Sequence, residues 1–138
     1  MKIYFACAIA GGRGHAHLYP DLVSHLNKHG EVLTEIFSDN DIFEKDRKLA
    51  DHKIFNRDMT WINESNVIIA EVSTPSLGVG FEIATALNQG KKVLCLFKNQ
   101  DDRKLSAMIA GNKNLNIKRY NTIEEVKQHI DEFFLSIK

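Results

Sequence analysis

A chain of 138 residues carrying 18 basic and 18 acidic side chains can bury one core without disulfides or a structural metal. Its zero net charge gives no support to a nucleic-acid or membrane surface built on bulk charge. No apolar run approaches the roughly 20 residues that span a bilayer, so neither a nucleic acid nor a membrane is an expected partner.

The opening residues pass straight into a strand pattern, without the apolar leader and cleavage site of a signal peptide. Residues 2–9 form a β-prone apolar run that ends at Gly11 and Gly12. Residues 15–29 set Leu18, Leu22, Val23 and Leu26 at helical spacing, with Gly30 as the stop. Residues 31–37 read as a second strand, and the polar stretch 38–50 as a linker. A helix is expected from there to about Ser65, then a short continuous apolar strand at 67–72. Gly78 to Gly80 opens a helix to Asn88, which Gly90 terminates, and residues 92–97 repeat the buried-strand pattern. A short helix at 105–110, a strand at 115–120 and a helix at 123–137 follow. In that last helix Ile123, Val126, Ile130, Phe133 and Phe134 make the inward stripe. Cys7 and Cys95 fall within apolar strands and read as buried reduced thiols, which points to the cytoplasm.

Such regular alternation predicts one α/β domain over residues 1–138. The expected architecture is a flavodoxin-like, doubly wound parallel sheet of five strands in the order 2-1-3-4-5, with helices on both faces. Ligands in this topology bind beyond the C-terminal ends of the first and third strands, where the strand order reverses. Two unusual loops fall there. The first strand leads into Ala8, Ile9, Ala10, Gly11, Gly12 and Arg13, the third into residues 73–82 with Ser76, Gly78 and Gly80. Glycines let a backbone approach a ligand closely, and a helix N-terminus attracts an oxyanion. Two facing loops of this kind suit a phosphate or carboxylate.

Glu82 follows the second loop and is placed in the first turn of its helix, where the dipole would hold it ionised. Asp58 shares a helical face with Ile54, Trp61 and Ile62, so it is predicted to point inward. A buried carboxylate needs a partner or a task. The partner would be Arg57 or Arg13, and the task would be catalysis. Two acids flanking a cleft are the equipment for glycosidic cleavage, one at the anomeric carbon and one at the leaving group.

Metal binding is not expected. His15 and His17 form an H-x-H pair without a supporting carboxylate or cysteine, and read as an exposed helix start. His25, His29, His52 and His129 read as scattered surface residues. A receiver domain would need acids after its first and third strands, where this chain has Ala8, Ile9, Ala10 and Ser73.

These residues resemble the nucleoside 2-deoxyribosyltransferase superfamily, and within it the 2′-deoxynucleoside 5′-phosphate N-hydrolase branch. The resemblance rests on Ile3-Tyr4-Phe5 with Gly11-Gly12-Arg13, on Asp58 with Trp61, on Ala70-Glu71-Val72, and on the run from Pro75 to Glu82. Leu94 to Phe97 and Leu105 to Ile109, which includes Met108, complete it. It implies a flavodoxin-like homodimer without cofactor. Glu82 would attack C1′ to form a glycosyl-enzyme, Asp58 would contact the departing base, and Tyr4 would lie beside the sugar. Ser76 and Gly78 would hold the phosphate with residues 8–13 of the first loop, joined by Ser106 and Met108 from the partner subunit. Base transfer through the same intermediate is the alternative reaction, and a non-catalytic nucleotide-binding module the alternative of another class. The pattern departs at Ala8 and Ala10, where the hydrolases carry Ser and Arg, and at Ile36, where they carry His. Each lost charge-assisted bond is worth about 1.5–3 kcal/mol. Either Arg13 and backbone amides would then carry the phosphate, or its binding would be weaker than the family norm, and Ile36 would make a drier pocket wall.

Overall fold

The computed structural model describes residues 1–9 and 14–138. Five parallel strands form one sheet in the order β2-β1-β3-β4-β5, as expected: β1 (Lys2–Ala6), β2 (Glu31–Val32), β3 (Val67–Glu71), β4 (Lys92–Lys98) and β5 (Asn116–Tyr120). The inner strands have no polar face. All of β3 is buried, as are Ile3 to Ala6 and Val93 to Phe97, because helices cover both sides. In register, Tyr4 pairs with Ile68 and Ala70 with Cys95, and Cys7 and Cys95 are both buried thiols.

Helices α1 (Tyr19–Leu26) and α6 (Ile123–Ser136) pack together on one face. Helix α3 (Asp51–Glu64) touches β1, and α4 (Leu77–Asn88) touches β3 and β4. Phe55 of α3 meets Phe81 of α4 edge-on at 6.2 Å, joining these two on the other face. Two short helices, α2 (Ile42–Arg47) and α5 (Ala107–Ala110), complete the chain. Gly90, at φ 74°, makes the left-handed turn that returns α4 into β4. Among the described residues no helix is long and apolar enough to cross a membrane.

Two expectations change. The second strand stops at Val32, and Glu35–Ser38 form a 3-10 turn. The cause is Thr34, whose buried hydroxyl accepts from Phe5 N–H at 2.9 Å and donates to Phe5 C=O at 2.7 Å. A side chain thereby replaces the ladder that a longer β2 would have supplied. The polar stretch 38–50 is not a plain linker either, since it contains α2 and buries Ile42 and Asp46.

Candidate active site

Beyond the C-terminal ends of β1 and β3 lies a cavity of about 580 Å³ whose lining includes Cys7, Asp46, Asp58, Ser76, Gly78 and Glu82. A smaller cavity of about 310 Å³, lined by Phe55, Met59 and Phe81, opens onto the same Asp58, Gly78 and Glu82. Both acids singled out from the sequence therefore face one space, polar at one end and aromatic at the other.

Helix α4 begins at Leu77, which puts Glu82 in its second turn and not its first. Its Oε2 is buried and makes no hydrogen bond among the described residues. Burial raises its pKa from the ordinary 4.5 to about 8, reinforced by the Asp58 charge and opposed by the Tyr4 hydroxyl and the Arg57 charge. The expected dipole-held, fully ionised carboxylate is thus corrected: desolvation outweighs the helix field two turns in. Tyr4, fully buried in β1, has a hydroxyl without a hydrogen bond of full geometry. Its pKa is driven upward by burial and then by the charges of Glu82 and Asp58, so it faces the acids as a neutral donor.

Asp58 does turn inward, and it has a partner. Arg57 Nε donates to Asp58 Oδ1 at 2.8 Å, while its two terminal nitrogens fork onto Asp46 at 2.8 and 3.1 Å. The guanidinium sits 5.2 Å from the Trp61 ring centre and 5.6 Å from that of Phe37. Burial still pushes the Asp58 pKa up, although the Arg57 hydrogen bond and charge pull against it. Asp46 escaped the sequence reading, for it lies in the polar stretch where a solvated acid is unremarkable.

Ser76 caps α4, its Oγ accepting from Val79 N–H at 3.3 Å. A Cβ added at Gly78 would stand 3.9 Å from Ser76 Oγ and 4.0 Å from Glu82 Oε1, so the missing side chain leaves open the space between hydroxyl and carboxylate. The loop feeding α4 is anchored by Glu71, a second residue whose role the sequence did not show. Its buried carboxylate accepts from Tyr120 Oη at 2.5 Å and from Ser73 N–H at 2.7 Å, and Ser73 Oγ accepts from Lys98 N–H at 2.8 Å. Burial raises the Glu71 pKa against these bonds.

Other expected positions fall differently. Ala8 is fully buried and is not among the residues lining the Glu82 cavity. Ala10, Gly11, Gly12 and Arg13 lie outside the described residues. Ile36 sits on the 3-10 turn, 38% exposed and away from the cavity lining, so it forms no pocket wall. His15 is half-buried, its Nδ1 3.1 Å from Thr74 Oγ1. Burial, then the Lys98 charge, lowers its pKa. Ser106 and Met108 line a separate groove of about 700 Å³ with Ser76 and Leu77, and do not line the Glu82 cavity of their own chain.

The model of the nucleoside 2-deoxyribosyltransferase family matches residues 3–130. A 5-hydroxymethyl-dUMP N-hydrolase from Tetraodon nigroviridis is 39% identical, with all of both chains covered. One from Esox lucius is 42% identical over 97% of this chain and 96% of its own. Among solved structures, a CMP N-glycosidase of Clostridium botulinum superposes with TM-score 0.67 at 23% identity, covering 96% of this chain and 99% of that one, which is a likeness of fold.

Proposed function

Since the chain belongs to the nucleoside 2-deoxyribosyltransferase family, we propose that its single domain hydrolyses the N-glycosidic bond of (2′-deoxy)nucleoside 5′-monophosphates, giving free base and (deoxy)ribose 5-phosphate. The observation that carries this reading is the buried Glu82 Oε2, without a hydrogen bond among the described residues, in one cavity with Asp58. Relatives alike over their full length are named as nucleotide N-hydrolases.

In the reaction, an ionised Glu82 oxygen bonds to C1′ as the bond from C1′ to the base nitrogen breaks. Asp58, turned by the Arg57 hydrogen bond into the same cavity, contacts the departing base and helps it leave. Tyr4 donates toward Glu82 and the sugar. Water then attacks C1′ and frees Glu82. The phosphate lies at the N-terminus of α4, on Ser76 and Gly78, and the partners expected for it in the first loop, Arg13 with the backbone of Ala10, Gly11 and Gly12, fall outside the described residues.

A homodimer completes the site, with Ser106 and Met108 supplied by the partner subunit. Supporting this, Leu77 is 97% and Met108 83% exposed beside an apolar groove. A cytoplasmic location fits the two buried thiols.

The test is chromatography of protein incubated with each deoxy- and ribonucleoside 5′-monophosphate and the matching nucleosides, with and without an added free base. Base and sugar phosphate released from monophosphates alone support the hydrolase. An exchanged nucleotide formed only with added base would replace it by the transferase, and tight binding without turnover by a nucleotide-binding module.

A further inference from the structure

The opposite edge of the sheet holds a second cluster of chemistry-bearing side chains. Helices antiparallel to the strands end at that edge, and α1 ends there with His25 in its last turn. His29 follows in the closing turn, where its N–H donates to Leu26 C=O at 2.8 Å, so the two imidazoles keep a helical i, i+4 relation on one face. Across from them α6 presents Asp131. Its Oδ1 lies 2.7 Å from His25 Nε2 and 2.6 Å from His29 Nε2. The scattered surface positions expected of these histidines are therefore corrected: His25 is buried, and residues more than 100 apart in sequence meet at one oxygen.

We propose that His25, His29 and Asp131 form a binding site for a divalent transition metal of the zinc class, with water as the fourth ligand. Their ligating atoms all lie within 4.8 Å of one another. Two imidazole nitrogens and a carboxylate oxygen are a zinc-type donor set, and His pairs spaced i, i+4 on a helix are well placed to chelate. Around a tetrahedral ion with bonds of about 2.1 Å, neighbouring ligand atoms stand roughly 3.4 Å apart. Each observed contact needs to open by less than about 1 Å to admit the ion. The donors are also held in place. The His29 ring stacks on Phe134 at 4.5 Å and 6°, and the His25 side chain is only 9% exposed. Asp131 is 48% exposed, so ion and water enter from its side.

This site does not rest on the proposed hydrolase activity, because it lies at the other end of the strands. The test is calorimetric titration of chelator-treated protein with zinc chloride, beside titration with cobalt chloride followed by visible absorption. The expected result is one zinc per chain, the absorption of four-coordinate cobalt, and a rise in Tm with zinc. H29Q and D131N should each weaken zinc at least about tenfold. Their metal-free thermal unfolding checks that they fold, and the cobalt spectrum of the unsubstituted protein stands even where they do not. Absence of saturable binding, a six-coordinate cobalt spectrum, or unchanged zinc affinity in folded H29Q and D131N would overturn the proposal.

Discussion

Arg57 holds Asp58 by a single hydrogen bond, Nε to Oδ1 at 2.8 Å, and leaves Oδ2 without a partner among the described residues. The rest of the guanidinium is committed to Asp46, so Asp58 is fixed in direction without being sealed into a closed ion pair. A buried carboxylate with one oxygen anchored and one presented is what contact with a leaving base requires.

Arg57→Met should therefore lower kcat more than it raises KM, by about 10- to 100-fold. It should also shift the pH dependence, since the Arg57 charge lowers both Asp58 and Glu82. A uniform loss of folded protein with unchanged kinetics in the remainder would reduce Arg57 to a packing role.

The two neighbours of Glu82 act in opposite directions. The Asp58 charge raises the Glu82 pKa and the Tyr4 hydroxyl lowers it, from a starting point of about 8. The acidic limb of kcat/KM in the free enzyme should rise through about pH 8, move lower in Asp58→Asn and higher in Tyr4→Phe. Displacement of this limb in the same direction in both variants would contradict this account.

The same shift has a consequence for stability. A carboxyl whose folded pKa is raised stabilises fully below its unfolded value of 4.5, and that contribution is lost as pH climbs toward 8. Glu82→Gln should accordingly be more stable than the parent at pH 9, with the gap closing toward pH 5, as read by thermal unfolding. Equal Tm differences at both pH values would mean that Glu82 is not desolvated.

How far the sequence reached can be judged residue by residue. Strand order and the inward turn of Asp58 were legible, because apolar runs and helical spacing express burial directly. The end of β2 was not, since a threonine replacing a strand ladder reads as one more β-branched residue. Asp46 and the cluster of His25, His29 and Asp131 were invisible because their partners are distant in sequence or lie in polar stretches. The state of Glu82 was misjudged because the helix start, five residues earlier at Leu77, sets its distance from the dipole, and burial sets the rest.

Gly78 gives a steric test. Its absent Cβ lies at ordinary contact distance from Ser76 Oγ and Glu82 Oε1, so Gly78→Val should fold while losing about 100-fold or more in kcat/KM by obstructing the cavity. Retained turnover would place the substrate elsewhere.

The most direct test of the central claim compares base release from deoxynucleoside 5′-monophosphates by the parent protein and by Glu82→Gln, with nucleotide binding measured for both. The account predicts that Glu82→Gln still binds nucleotide while its turnover falls by at least about 10³-fold. Turnover within a few-fold of the parent would remove Glu82 from the chemistry and leave the cavity without its nucleophile.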